Sequence, residues 1–138
     1  AASDVYKRQL QVDARSIPDL VPILAVTASA APGITRVEHA GRLRLKESDR
    51  LEALCRLLQD LGGSAFLEGD CLVVQGGTPL TGGAVMSYGD HRIAMAAAVA
   101  ASLCTGPVRL IGAEAVTKSY PRFWQDYQSL GGIWEEIS

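Results

Sequence analysis

Asp90-His91-Arg92-Ile93-Ala94-Met95-Ala96-Ala97-Ala98-Val99-Ala100-Ala101-Ser102-Leu103-Cys104 opens on three titratable or charged side chains and then runs apolar for about a dozen residues. That is short of the ~20 a membrane helix needs, so the stretch predicts a helix buried in protein on every side. Its polar head must then emerge somewhere wet. An earlier stretch, Asp19 to Ala31, has the same form, with Leu20, Val21, Ile23, Leu24 and Val26 behind a leading acid.

Working outward, each buried helix is followed by a strand and then a two-faced helix. In the first copy these are Ile34 to Glu38 and Asp49 to Leu61; in the second, Val108 to Ile111 and Pro121 to Leu130. Strands Ser64 to Leu67 and Cys71 to Val74 make a hairpin through Glu68-Gly69-Asp70. After the glycine-rich link Gly76 to Gly83, strand Ala84 to Ser87 begins the recurrence, and a last strand is expected at Ile133 to Glu136. Asp19 pairs with Asp90, Gly33 with Gly106, Lys46 with Lys118, and Leu61-Gly62-Gly63 with Leu130-Gly131-Gly132, each about 70 residues apart. The chain therefore reads as a duplicated α/β unit, with copies at about 10–76 and 83–138. Ala1 to Gln9 is polar and unpatterned and is set apart as a tag, a scar or a truncation edge.

The 138 residues suffice for one core, and 48% hydrophobic with 20% charged is ordinary globular composition. A net charge of -2 gives no nucleic-acid footprint, so any anion site must be local. Cys55, Cys71 and Cys104 form no CxxC pair and leave an odd count, which indicates neither a disulfide framework nor a metal site and suits the cytoplasm. Cys55 keeps step with Leu51, Leu54, Leu58 and Leu61 and belongs to the core.

Charge gathers at helix starts. Asp19 and Asp90 can each be an N-cap or a site residue, while Asp49, followed three residues on by Glu52, fits a capping box. Lys46, Glu47, Arg50, His91, Arg92 and Lys118 could singly be solvated side chains. Jointly they crowd the polar heads of buried helices, where backbone N–H groups favour anions. Arg50 and Arg92 oppose the helix dipole there, which favours a compensating anionic ligand.

Ile17-Pro18-Asp19, Leu43-Arg44-Leu45-Lys46-Glu47-Ser48-Asp49-Arg50, Tyr88-Gly89-Asp90-His91-Arg92-Ile93-Ala94-Met95 and Lys118-Ser119-Tyr120-Pro121 together resemble, in order, the C-terminal signatures of the EPSP synthase (3-phosphoshikimate 1-carboxyvinyltransferase) family, of the bacterial class. The resemblance implies an α/β fold of repeated βαβαββ units, an inside-out α/β barrel with buried apolar helices and mixed sheets outside. It implies that residues 10–138 are part of a C-terminal lobe, whose partner is the missing N-terminal lobe of a monomeric enzyme.

The implied reaction transfers the enolpyruvyl group of phosphoenolpyruvate to the 5-hydroxyl of shikimate-3-phosphate and releases phosphate, a step toward chorismate and the aromatic amino acids. No cofactor, metal, nucleic acid or membrane is implied. By position, Asp19 would orient and deprotonate the 5-hydroxyl, with Lys46 as a second partner on shikimate-3-phosphate, and Glu47 would be the acid/base at the methylene carbon. Arg50, Arg92 and Lys118 would clamp phosphoenolpyruvate, with His91 hydrogen-bonding near the reacting centre. Glu47 is expected to take its proton only in the closed, ligand-bound site. Arg42 stands where some relatives carry a polar residue and is given no binding role. Two alternatives stand beside this reading: an inactive lobe that only binds anions, and a UDP-N-acetylglucosamine enolpyruvyl transferase, which lacks this pair of signatures.

Overall fold

The computed structural model describes residues 9–137. Its first unit opens with strand β1 (Gln9–Asp13), then helix α1 (Val21–Ala30), strand β2 (Gly33–Glu38), helix α2 (Arg50–Asp60) and strands β3 (Ser64–Glu68) and β4 (Cys71–Gly76). The second follows with β5 (Gly83–Met86), α3 (His91–Ala101), β6 (Val108–Ile111) and α4 (Phe123–Ser129). Short 3-10 turns at Gly41–Leu45 and Ala113–Lys118 precede the second helix of each unit, so Lys46 follows one turn and Lys118 ends the other.

β1 and β2 run parallel, with Val12 opposite Val37, and the β3–β4 hairpin adds antiparallel strands in the order β1-β2-β4-β3. β5 and β6 form a separate parallel pair, Val85 opposite Leu110. Between these layers lies one core, to which α2 contributes Leu51, Leu54, Leu57 and Leu58 from its apolar face, while α1 brings Val21, Ala25 and Val26 and α3 brings Ile93, Ala96, Ala97 and Ala100. The alanine-rich face of α3 lets helices pack closely. Cys55 is buried in this core, and Cys55, Cys71 and Cys104 are all free thiols.

Several expectations need correction. β1 is a strand beyond those expected: Gln9-Leu10-Gln11-Val12-Asp13 alternates with period two, and Gln9, grouped with the unpatterned opening segment, pairs with Ile34. The rest of that segment, residues 1–8, lies outside the described residues. α1 starts two residues later than expected, after a 3-10 turn over Pro18–Leu20, and α3 ends at Ala101 rather than Cys104. The first buried helix is not covered on every side, with Ile23 39% exposed and Leu20, just ahead of it, 51% exposed, whereas every residue of α3 is buried or half-buried.

Ile133 to Glu136 form no strand. Their counterpart β3 pairs only with β4, and no equivalent of β4 follows them among the described residues, so their backbone groups find no ladder. α4 buries no residue fully; aromatic side chains anchor it instead. The Tyr127 hydroxyl donates to the Ala98 carbonyl at 2.8 Å, Trp124 Nε1 to that of Ala113 at 3.3 Å, and Trp134 Nε1 to that of Trp124 at 2.9 Å. No helix among the described residues is long and apolar enough to cross a membrane.

Candidate active site

Arg50 is the first residue of α2, and Asp49 before it caps the helix by accepting the Glu52 N–H at 3.1 Å. A long cation on the inward side of an amphipathic helix must find anions, and Arg50, its side chain only 2% exposed, finds three. Its Nε donates to Asp90 Oδ2 at 2.8 Å and its Nη2 to Asp90 Oδ1 at 3.2 Å. Nη1 donates to Asp19 Oδ1 at 3.2 Å, and Nη2 also reaches Glu47 Oε2 at 2.5 Å. Burial works against the charge, but the Asp90 contact and the charges of Glu47 and Asp19 outweigh it and raise the guanidinium above its ordinary pKa.

Asp90 is wholly buried. It sits where β5 turns into α3 through Tyr88 and Gly89, both left-handed at φ 57° and 68°, a sharp reversal held by the Asp90 N–H on the Ser87 carbonyl at 3.0 Å. Besides Arg50, its carboxylate accepts the Ser48 hydroxyl at 2.8 Å and the Arg92 backbone N–H at 2.9 Å. Burial alone would raise its pKa; the hydrogen bonds from Arg50, Ser48 and Arg92 more than reverse that and hold it below the ordinary carboxylate value.

Asp19 does not cap α1. It lies in the 3-10 turn ahead of the helix with its carboxylate turned to Arg50. Arg92 Nη1 donates to the Asp19 carbonyl at 3.3 Å, and the two residues border an open cleft of about 240 Å³ whose apolar wall includes Leu20, Ile23, Met95 and Phe123. Asp19, Glu47, Arg50 and Arg92 are thus brought to one place. Lys46, His91 and Lys118 form no hydrogen bond or ion pair through their side chains among the described residues. Lys46 and His91 are half-buried and Lys118 is exposed.

At Arg50, where the dipole cost favours a compensating anion, three carboxylates of the chain itself supply negative charge. Asp90 was read as a cap or a site residue, and it is both a cap and the inner partner of Arg50. Its one sequence signal is an acid leading an apolar helix. Nothing in the sequence indicates that its partner lies forty residues upstream. Ser48, a hydroxyl in a charged loop, carries no distinguishing pattern in the sequence, and its role shows only in its bond to Asp90. Arg44 is used structurally, paired with Asp49 and Asp70.

The EPSP synthase (3-phosphoshikimate 1-carboxyvinyltransferase) family matches residues 2–127, nearly the whole chain. The chain belongs to the EPSP synthase family. The match takes in most of the opening segment that composition alone set apart. Among relatives, the 3-phosphoshikimate 1-carboxyvinyltransferases of Clostridium kluyveri and Clostridium acetobutylicum are each 49% identical over 127 residues, covering 92% of this chain and 30% of theirs. EPSP synthase from Acinetobacter baumannii superposes with a TM-score of 0.80 at 32% identity, over 88% of this chain and 28% of that one. The enolpyruvyl transferase NikO from Streptomyces tendae, at 23% identity and a TM-score of 0.72, shares the fold. The chain therefore spans about 30% of the length of the curated EPSP synthases it matches.

Proposed function

We propose that this chain supplies one wall of an enolpyruvyl-transfer active site, in which the enolpyruvyl group of phosphoenolpyruvate passes to the 5-hydroxyl of shikimate-3-phosphate. The carrying observation is the convergence of two half-exposed carboxylates, Asp19 and Glu47, on one buried guanidinium beside a cleft that also holds Arg92. Acid, base and anion-binding cation are what this addition and elimination require in one place.

In this reading the Asp19 carboxylate takes the proton of the 5-hydroxyl as its oxygen bonds to C2 of phosphoenolpyruvate. Glu47 delivers a proton to C3, turning the methylene into a methyl group. Removal of a proton from that methyl group and departure of phosphate from C2 then restore the double bond in the product. Arg50 and Arg92 hold the donor's carboxylate and phosphate, planar forks being suited to both, and Lys118 adds a point charge. Lys46 and His91 supply polar contacts around the acceptor and the reacting centre.

The remaining part of the enzyme completes the site as the partner of this chain. The free thiols of Cys55, Cys71 and Cys104 suit a cytoplasmic setting.

The test is phosphate release from phosphoenolpyruvate and shikimate-3-phosphate by the complete enzyme that contains this chain. Glu47→Gln should lower turnover by about a hundredfold or more, the scale of a lost general acid, while calorimetric binding of phosphoenolpyruvate persists. Near-normal turnover of that variant would remove Glu47 from the chemistry.

A further inference from the structure

Asp90 has no part in the chemistry proposed above, yet it is the most completely engaged polar side chain of the site. It is fully buried and accepts from four donors: Arg50 Nε, Arg50 Nη2, the Ser48 hydroxyl and the Arg92 N–H. Two of these grip one edge of Arg50, whose other edge faces Asp19 and Glu47, side chains 56% and 53% exposed. The guanidinium therefore has a dry inner partner and wet outer ones. Exposed ion pairs contribute little and exchange readily, whereas a buried pair cannot be opened without leaving an uncompensated charge.

We propose that Asp90 is a positioning residue: by holding the inner edge of Arg50 it aims the outer edge at the cleft, where an anionic group of the donor replaces Asp19 and Glu47. Donor binding then also releases the two carboxylates that carry the protons. Ser48 and the first turn of α3 lock Asp90 in turn, so one carboxylate sets both Arg50, from the first unit, and the start of Arg92's helix, from the second. This role rests on the enolpyruvyl-transfer reading.

Asp90→Asn in the complete enzyme tests it. The amide keeps the volume and one acceptor oxygen but turns N–H groups toward donors and removes the charge. The dissociation constant of phosphoenolpyruvate, measured by calorimetry, should rise about tenfold or more, while that of shikimate-3-phosphate stays within about twofold. Unchanged donor affinity, or an equal loss for both ligands, overturns the role, since a purely structural residue has no reason to separate them. Where that variant does not fold, Ser48→Ala decides: it removes one donor that fixes Asp90 and should weaken the donor alone by about two- to threefold, no change being the refuting result. Phosphate release by the unsubstituted enzyme tests the transfer reading separately, because these affinities are read without turnover.

Discussion

Arg50 and Asp90 show how one long-range contact organises a site. Removing the cation leaves a buried carboxylate without its main partner, so Arg50→Ala should cost about 3–5 kcal/mol in urea unfolding. Acid should act through the other member. Asp90 is held below its ordinary value of 3.8 in the folded chain, so the unfolded chain takes up its proton first as pH falls. Its stabilising contribution is fully present above about pH 4–5 and is lost as the pH falls through the folded-state value. The stability gap between the unsubstituted chain and Asp90→Asn should accordingly be constant from neutrality to about pH 5 and close in stronger acid; a gap independent of pH down to 3 would contradict this. The residue types of the site were legible because charged side chains at the heads of apolar helices are conspicuous. Their pairing was not, because Arg50 reaches Asp90 across forty residues and the sequence carries no mark of that contact.

At the scale of elements, periodicity located the four α-helices of the described residues to within a few residues at their ends, and it missed where pairing partners decide. β1 has the alternation of a strand but a mostly polar composition, and it is defined by its pairing with β2. Ile133 to Glu136 has the composition of a strand and forms none. The joint between α1 and β4 depends on a residue that pattern reading treats as a loop glycine. A Cβ on Gly76 would lie 1.8 Å from the Ala31 carbonyl oxygen and 2.2 Å from that of Ala28, both backbone atoms that cannot swing aside. Gly76→Ala should therefore destabilise the chain by about 3 kcal/mol by forcing strand and helix apart. Gly69, left-handed at φ 59° with open space around it, provides the comparison, and Gly69→Ala should cost only about 1 kcal/mol. Equal losses in thermal or urea unfolding would refute the close-approach explanation.

For the whole molecule, the relevant fact is an open flank. The cleft bordered by Asp19 and Arg92 is open to solvent, and apolar side chains such as Leu20 and Ile23 stand in contact with water. Catalysis of this type relies on holding both substrates together with water excluded. The 138-residue chain by itself should consequently show no measurable phosphate release from phosphoenolpyruvate and shikimate-3-phosphate, and bind phosphoenolpyruvate weakly by calorimetry. Addition of the rest of the enzyme should restore turnover. Substantial turnover by the chain alone would show that one wall is enough.

Hydrophobic period and short motifs were enough for the mixed α/β fold class, the apolar helices and the family, because they are local properties that survive without coordinates. Tertiary contacts alone show that Arg50 meets three carboxylates of its own chain, that Asp90 is the buried one among them, and that Ile133 to Glu136 pair with no strand among the described residues. Each of those outcomes depends on which groups distant in the chain meet where water is excluded, and burial is what turns a solvated charge run into an obligatory network.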